Sequence, residues 1–382
     1  MNISKMQCIG CGACAASCPL NCIEMCADRE GFLYPIINTE RCVSCHVCEA
    51  ICPVLHKTPV HAQPVVYGAK HRDDCIRSRS SSGGVFPALA SFVLENGGAV
   101  CGAAYAEDFS VEHRIIEDAK DIIKLQGAKY AQSRVEHLFP LIRSILGSGR
   151  YLLFVGTPCQ TAGLKAYLNK DYAKLILVDM ICHGVPSPDV WRKYLKNRNQ
   201  IDAAGAIICD VNLRCKKKGW SHYNYSVEID YADGTIYSVP QGQDLFMQGF
   251  VQNLYLRPSC ASCSYKGLRR CSDMTLGDFW GIWDLAPDFD DDRGASLVLL
   301  HTSAGMKAWE AVRRYFEVQS VDFRDAIACN PSALTPSVPH PMRQMFFERM
   351  EVEQVAGLIK RCLHPEEKRM SLLRKMWNRI FG

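Results

Sequence analysis

The chain has almost no excess of either charge. Against 40 Asp and Glu stand 44 Lys and Arg, a formal net charge of +4 over 382 residues. That is too small for the broad cationic field by which a protein holds a nucleic-acid backbone. A long apolar run is also missing: the best candidate stretches are broken by Arg79, Glu95 and Glu107, short of the roughly 20 apolar residues that span a bilayer. Met1–Gln7 carries no basic patch followed by an apolar segment, so no secretion signal is visible and a cytoplasmic location is expected. Disorder is not indicated either, since 48% of residues are apolar and 22% charged, enough for packed cores. What the chain has in excess is cysteine. Twenty-one of them, in a reducing compartment, point to metal ligation rather than disulfides.

Their placement is specific. Cys8, Cys11, Cys14 and Cys18 stand at C-x2-C-x2-C-x3-C and are followed by Pro19; Cys42, Cys45, Cys48 and Cys52 repeat the pattern and are followed by Pro53. Three closely spaced thiolates wrap one iron–sulfur cube, and the fourth reaches across to the other. The expected ligand sets are therefore Cys8, Cys11, Cys14 and Cys52 for one 4Fe–4S cluster, and Cys42, Cys45, Cys48 and Cys18 for the second. Gly10 and Gly12 let backbone N–H groups approach the sulfides, and each proline closes its ligand loop. Zinc knuckles use separated C-x2-C pairs rather than two triplets ending in Cys-Pro. Residues 1–56 resemble a bacterial-type two-cluster ferredoxin in every ligand. Cys22 and Cys26 fall outside the repeat and read as small buried apolar residues.

A stiff connector follows at 57–64, with Pro59 and Pro64 among its residues. Beyond it, strand-like and helix-like segments alternate. Val65–Ala69, Ala99–Tyr105, Val111–Ile116, Tyr151–Val155 and Lys174–Ile181 read as strands; Gly84–Asn96, Val135–Leu146 and Asp189–Lys196 read as helices. Tyr223, Tyr225, Val227, Ile229 and Tyr231 alternate with polar residues ahead of an Asp233-Gly234 turn, the pattern of a half-buried hairpin. The expected fold class is α+β, a small two-cluster ferredoxin domain followed by a larger mixed α/β domain.

Four constellations in the larger part carry chemistry. Ser80-Ser81-Ser82-Gly83-Gly84 precedes a helix, with Arg77 and Arg79 upstream; hydroxyls, glycines and a helix N-terminus suit a phosphate, although a plain Ser/Gly cap would look the same. Gln126–Ser133 holds Lys129, Gln132 and Ser133, polar groups suited to a flavin edge, although an ordinary polar loop would also contain them. Gly156-Thr157-Pro158-Cys159-Gln160 ends one buried strand and Cys182-His183-Gly184 ends the next, where open α/β sheets bind ligands. Cys260, Cys263 and Cys271 lie among Arg257, Lys266, Arg269 and Arg270. Three thiols need a fourth ligand, Cys182 first and Cys159 second, and an electron path already present favours a third 4Fe–4S cluster over structural zinc. Phe279 or Trp280 could pack on a flavin, but core packing is the commoner use of aromatics at such a turn.

The ensemble of Ser82-Gly83-Gly84, Gly127-Ala128-Lys129-Tyr130 with Gln132-Ser133, Gly156-Thr157-Pro158-Cys159-Gln160, Cys182-His183-Gly184 and Arg257-Pro258-x-Cys260-x2-Cys263 with Gly277-Asp278-Phe279-Trp280 resembles the coenzyme F420 hydrogenase/dehydrogenase beta-subunit family over about residues 65–340. The resemblance implies an oxidoreductase holding FAD beside an iron–sulfur cluster. Single electrons would enter from ferredoxin or another redox protein and leave as a pair to a small-molecule acceptor. It implies flavin contacts at Ser81, Ser82, Gly83, Gly84, Lys129, Gln132, Ser133, Gly156, Thr157, Pro158 and Gln160, and a domain division at 65–145 and 146–340 before a helical tail at 341–382. Cys182-His183-Gly184 departs from the deazaflavin-reducing members, which puts that substrate in doubt. A non-catalytic electron-transfer subunit is the competing reading. In the tail, Leu372, Leu373, Met376, Trp377, Ile380 and Phe381 form an apolar stripe opposite Lys368, Arg369, Arg374, Lys375 and Arg379, a helix expected to fold on its own domain or to touch a partner or membrane surface.

Overall fold

The structure, a computed structural model, describes residues 3–56 and 62–364. Two strands, β1 (Ile23–Ala27) and β2 (Leu33–Ile37), pair antiparallel in the N-terminal module, with Ile23 opposite Ile37 and Ala27 opposite Leu33. The rest is organised by an eight-stranded mixed sheet. Its strands are β3 (Val65–His71), β4 (Ala99–Tyr105), β5 (Val111–Ile116), β6 (Leu152–Gly156) and β7 (Leu175–Met180), then β11 (Met274–Asp278), β12 (Ser296–Leu300) and β13 (Phe316–Ser320). Between them β8 (Ile208–Cys215), β9 (Ser226–Tyr231) and β10 (Ile236–Pro240) form a separate antiparallel sheet.

The large sheet runs β13-β3-β12-β11-β7-β6-β4-β5. Its centre, β11-β7-β6-β4, is parallel; the strands outside it pair antiparallel. Parallel strands must be covered on both faces, and the side chains divide accordingly. Val100 and Leu153 pack on one face with Val85, Leu89 and Trp309, while Ala99, Cys101, Leu152 and Phe154 pack on the other with Phe139, Ile142 and Leu164. Strands on either side of residue 145 contribute to this one sheet. The four parallel strands end together at Tyr105, Gly156, Met180 and Asp278, and those ends carry the predicted loops.

Several boundaries differ from expectation. Val135–Leu146 opens with a 3-10 turn at Glu136–Leu138 before the α-helix Phe139–Gly147, because Pro140 fits only the first turn of a helix. The helix expected at Asp189–Lys196 runs from Pro188 to Ala203, capped by Ser187 and prolonged by a polar face. Tyr223 lies outside the hairpin in a 3-10 turn with φ 62° and is exposed, whereas Tyr225, Val227, Ile229 and Tyr231 are buried. The helices Arg343–Arg349 and Val355–Leu363 pack back on the domain; Lys368–Phe381 lies outside the described residues. Among the described residues no helix is long and apolar enough to cross a membrane.

The N-terminal module is built into this body. Phe32 and Tyr34 join the core of the small sheet, and Cys11 and Ala13 join that of the large one. Arg343 pairs with Glu30 (2.6 Å), and Ser187 Oγ donates to the Glu30 carbonyl (2.5 Å).

Candidate functional site

Two thiol-lined cavities occupy the N-terminal module. Cys8, Cys11, Cys14 and Cys52 line one; Cys18, Cys42, Cys45 and Cys48 line the other, together with Cys22. The crosswise exchange of the fourth cysteine expected from the repeat is thus present in space. The repeat extends to the backbone: Gly10 and Gly12 hold φ of 66° and 72°, and their equivalents Ser44 and His46 hold 52° and 58°. Glycine is needed only in the first loop. A Cβ on Gly12 would lie 2.3 Å from Glu136 Cβ, and one on Gly10 2.5 Å from Gln132 Nε2. The first loop is pressed against the large domain, whereas Ser44 and His46 stand exposed and tolerate side chains. Cys45 is exposed, while Cys11, Cys14 and Cys52 are buried, so the second cavity is the outer one. Cys22 is buried with Sγ 3.3 Å from Cys18 Sγ; Cys26 is half-buried in β1.

A third cavity lies at the ends of the parallel strands. Its thiols are Cys159, opening the helix Pro158–Leu168 after β6; Cys182, after β7; and Cys260 and Cys263, from the turn Pro258–Ser262 and its end. Both candidates for the fourth position are present. Cys271 is not among the lining residues and is half-buried beyond Arg270. Lys266, Arg270 and His183 complete the wall. His183 is held by Asn253 Oδ1 (2.6 Å) and Ser332 Oγ (3.1 Å). Burial pushes the Cys159 thiol up to about 12, opposed by Thr157, and raises Cys182 and Cys260. Cys14 is pushed up to about 12 for the same reason, and Cys11 and Cys52 rise too. Such thiols stay protonated until a metal takes the proton's place. Among the described residues no group of three or more His, Cys, Asp or Glu is gathered to hold a single ion. Thiols set around a cavity suit a cluster better than one tetrahedral zinc.

One turn of helix joins two of the cavities. Cys159 lines the third, and Gly163, four residues on, abuts the first: a Cβ there would lie 2.6 Å from Cys11 Cβ and 3.0 Å from its Sγ. Four residues of helix rise about 6 Å.

The expected flavin contacts fall into two groups. Gln132, Ser133, Thr157 and Gln160 bond to the protein itself. Gln132 Oε1 accepts from Leu33 N (3.0 Å) and Arg257 Nη1 (3.2 Å); Gln160 Nε2 donates to Ser133 Oγ (2.8 Å), and Gln160 and Thr157 close a capping box behind Gly156 and Pro158. Gly83 packs against β3, where a Cβ would strike the Ala69 carbonyl, and Ser82 Oγ donates to Ala295 O (2.6 Å). Ser81 and Gly84 stand at the N-terminus of the helix Val85–Glu95. Arg77 is not free, being buried on Asp291.

Lys129 makes up the second group, and other buried donors stand near it. Lys129 Nζ meets only the carbonyls of Gln126 (2.7 Å) and Gly127 (3.2 Å) and the face of Tyr105. Lys216 Nζ meets those of Arg77 and Ser82 (both 2.7 Å). Burial pulls both lysines down to about 7, with Asp210 opposing at Lys129 and Arg77 adding at Lys216. Beside them Tyr105 Oη and Arg214 Nε are buried without a partner. Arg214, paired with Asp278 (2.8 Å), stacks on Tyr225 and reaches Tyr130 Oη (3.3 Å). An electron-poor donor set of this kind fits an anionic ligand rich in acceptors, as a flavin dinucleotide is. Lys216 and Arg214 carried no signal in the sequence, because β8 brings them from a separate sheet. Phe279 is core; Trp280 stacks on Trp220 (4.6 Å) in an aromatic cluster.

The comparisons place the chain among iron–sulfur redox proteins. Residues 7–55 match the model described as a 4Fe-4S dicluster domain. Residues 66–139 and 149–323 match the models of the coenzyme F420 hydrogenase/dehydrogenase beta subunit, N-terminal and C-terminal regions respectively. The chain belongs to that beta-subunit family, as an iron–sulfur electron-transfer member. A chain from the F420-reducing [NiFe] hydrogenase complex of Methanosarcina barkeri is similar over 83% of this chain and 96% of its own, at 18% identity and a TM-score of 0.48; at that level nothing about activity transfers. No curated protein matches.

Proposed function

We propose that the protein is an iron–sulfur flavoprotein oxidoreductase that takes single electrons from a ferredoxin-type donor and delivers pairs to a small organic acceptor. The observation that carries this is the series of three thiol-lined cavities running from the exposed Cys45 to the strand-end site. Cys18, Cys42, Cys45 and Cys48 hold the outer cube, Cys8, Cys11, Cys14 and Cys52 the inner one, and Cys159, Cys182, Cys260 and Cys263 the third. Bound FAD supplies the exchange between one-electron and two-electron chemistry. The residues that would hold it are Lys129, Lys216, Tyr105, Arg214, Ser81 and Gly84, with Gln132, Ser133, Thr157 and Gln160 bracing the loops behind them.

The chain's own contribution is placement and charge. Lys129 and Lys216 offset the anionic ligand, and the charge that reduction adds, in a site with little water. One turn of the helix Pro158–Leu168 would set the spacing of the inner and third cubes. Over one turnover two donor electrons and two solvent protons reduce one acceptor. The family's description as a beta subunit supports a second reading, a relay that works only when docked on a partner enzyme. To separate them, the anaerobically purified protein is mixed with reduced ferredoxin and a panel of acceptors including the deazaflavin. Flavin released on heating and steady oxidation of ferredoxin without another protein are expected. Absence of flavin would overturn the proposal, and turnover only with an added partner would favour the relay.

A further inference from the structure

Four arginines are deeply buried, and three of them have a carboxylate. Arg77 pairs with Asp291, Arg214 with Asp278 and Arg270 with Asp179. The fourth, Arg257, is 2% exposed and gives its donors only to neutral acceptors: Nε to Cys8 O (2.9 Å), Nη2 to Leu33 O (3.0 Å) and Nη1 to Gln132 Oε1 (3.2 Å). Its plane lies over the Tyr34 ring, 4.2 Å from the centroid. Among the described residues no carboxylate comes within ion-pair distance of it. Even after relaxation, a buried ion without a counter-charge costs several kcal/mol. The missing negative charge therefore has to come from something other than a carboxylate.

Its position says what. Arg257 begins the third-cavity loop, its carbonyl accepting from Cys260 N (3.0 Å) and its N–H bonded to Val185 O (2.8 Å). Its guanidinium meanwhile lies against the first-cavity loop, where a Cβ on Gly10 would sit 2.8 Å from Nη1. It stands on the partition between the two inner thiol cavities. A cube held by four thiolates is net negative, and each reduction adds one unit. A fixed cation beside it thus favours the reduced form, in a dry interior where the interaction is poorly screened. We propose that Arg257 is shared as counter-charge by the inner and third clusters and raises the reduction potential of both above that of the outer one, so that electrons fall inward from the surface. This rests on those cavities holding cubes.

Two substitutions separate charge from geometry. Gln132→Glu keeps the fork of hydrogen bonds but puts a carboxylate on Nη1. Arg257→Lys keeps the charge but loses the fork. Each holoprotein is titrated under spectroelectrochemical control and followed by paramagnetic resonance, after iron analysis. For Gln132→Glu the two inner clusters should become about tenfold harder to reduce, 59 mV for a one-electron couple, with the outer cluster unmoved. For Arg257→Lys all three should stay near their original values. Inner potentials that hold in Gln132→Glu but move in Arg257→Lys would reduce Arg257 to a structural clamp, and an equal shift of all three clusters would also overturn the proposal. Wild-type protein without cubes would instead sink the underlying cluster reading.

Discussion

Lys129 and Lys216 are held where a cation is poorly served. Each amine meets carbonyls only, and burial pulls each down to about 7, against an ordinary value near 10.4. Without a counter-anion, values near 7 would leave both largely neutral at pH 8. An anion placed beside them favours the ammonium and raises those values again. Binding of FAD to the flavin-free protein at pH 8 should therefore take up protons, between one and two per site. Calorimetry in buffers of different ionisation enthalpy reads that number directly, and Lys129→Met should lower it by up to one. Binding that takes up no protons in either protein would place the flavin away from these amines.

Elements, rather than single residues, decide how close the clusters come. The helix Pro158–Leu168 carries Cys159 on its first turn and Gly163 on its second, and only the absence of a Cβ at 163 lets the Cys11 loop reach it. Gly163→Ala gains up to about 1 kcal/mol of helix propensity, but the overlap is with backbone-anchored atoms and overpacking costs roughly 1–3 kcal/mol. The expected net result is a lower unfolding temperature and weaker retention of the inner cube. Gly147→Ala, in open space at the end of Phe139–Gly147, should be neutral or mildly stabilising. Equal melting temperatures for the two variants would mean that the contact is not tight. This helix also shows how far the sequence could be read. The cysteine repeat, strands β4 and β5 and the hairpin turn were legible because they rest on local spacing and alternation. Gln132 and Gln160 read as ligand contacts because their polarity is visible in the sequence, whereas their bonds to Leu33, Arg257 and Ser133 depend on long-range docking. The choice between Cys182 and Cys159 as fourth ligand likewise turns on which strand ends the sheet brings together, information that no local pattern contains.

At the scale of the molecule the fold is a path. The outer cavity opens at Cys45, the inner one is pressed through Gly10 and Gly12 onto the large domain, and the third lies where the parallel strands end, as do Tyr105, which faces Lys129, and Asp278, which pairs with Arg214. The N-terminal module is packed into both cores, so under the proposed function no search between separate proteins is needed and the distances between centres are fixed. The Arg257 partition would give that path a direction. The central claim is that three cubes, each held by four thiols, occupy the three cavities. Its most direct test is iron counted per chain in oxygen-free preparations of the wild type, Cys159→Ser and Cys271→Ser. The account predicts about twelve, eight and twelve iron atoms, at four per cluster. About eight in the wild type, or a loss in Cys271→Ser with none in Cys159→Ser, would contradict it.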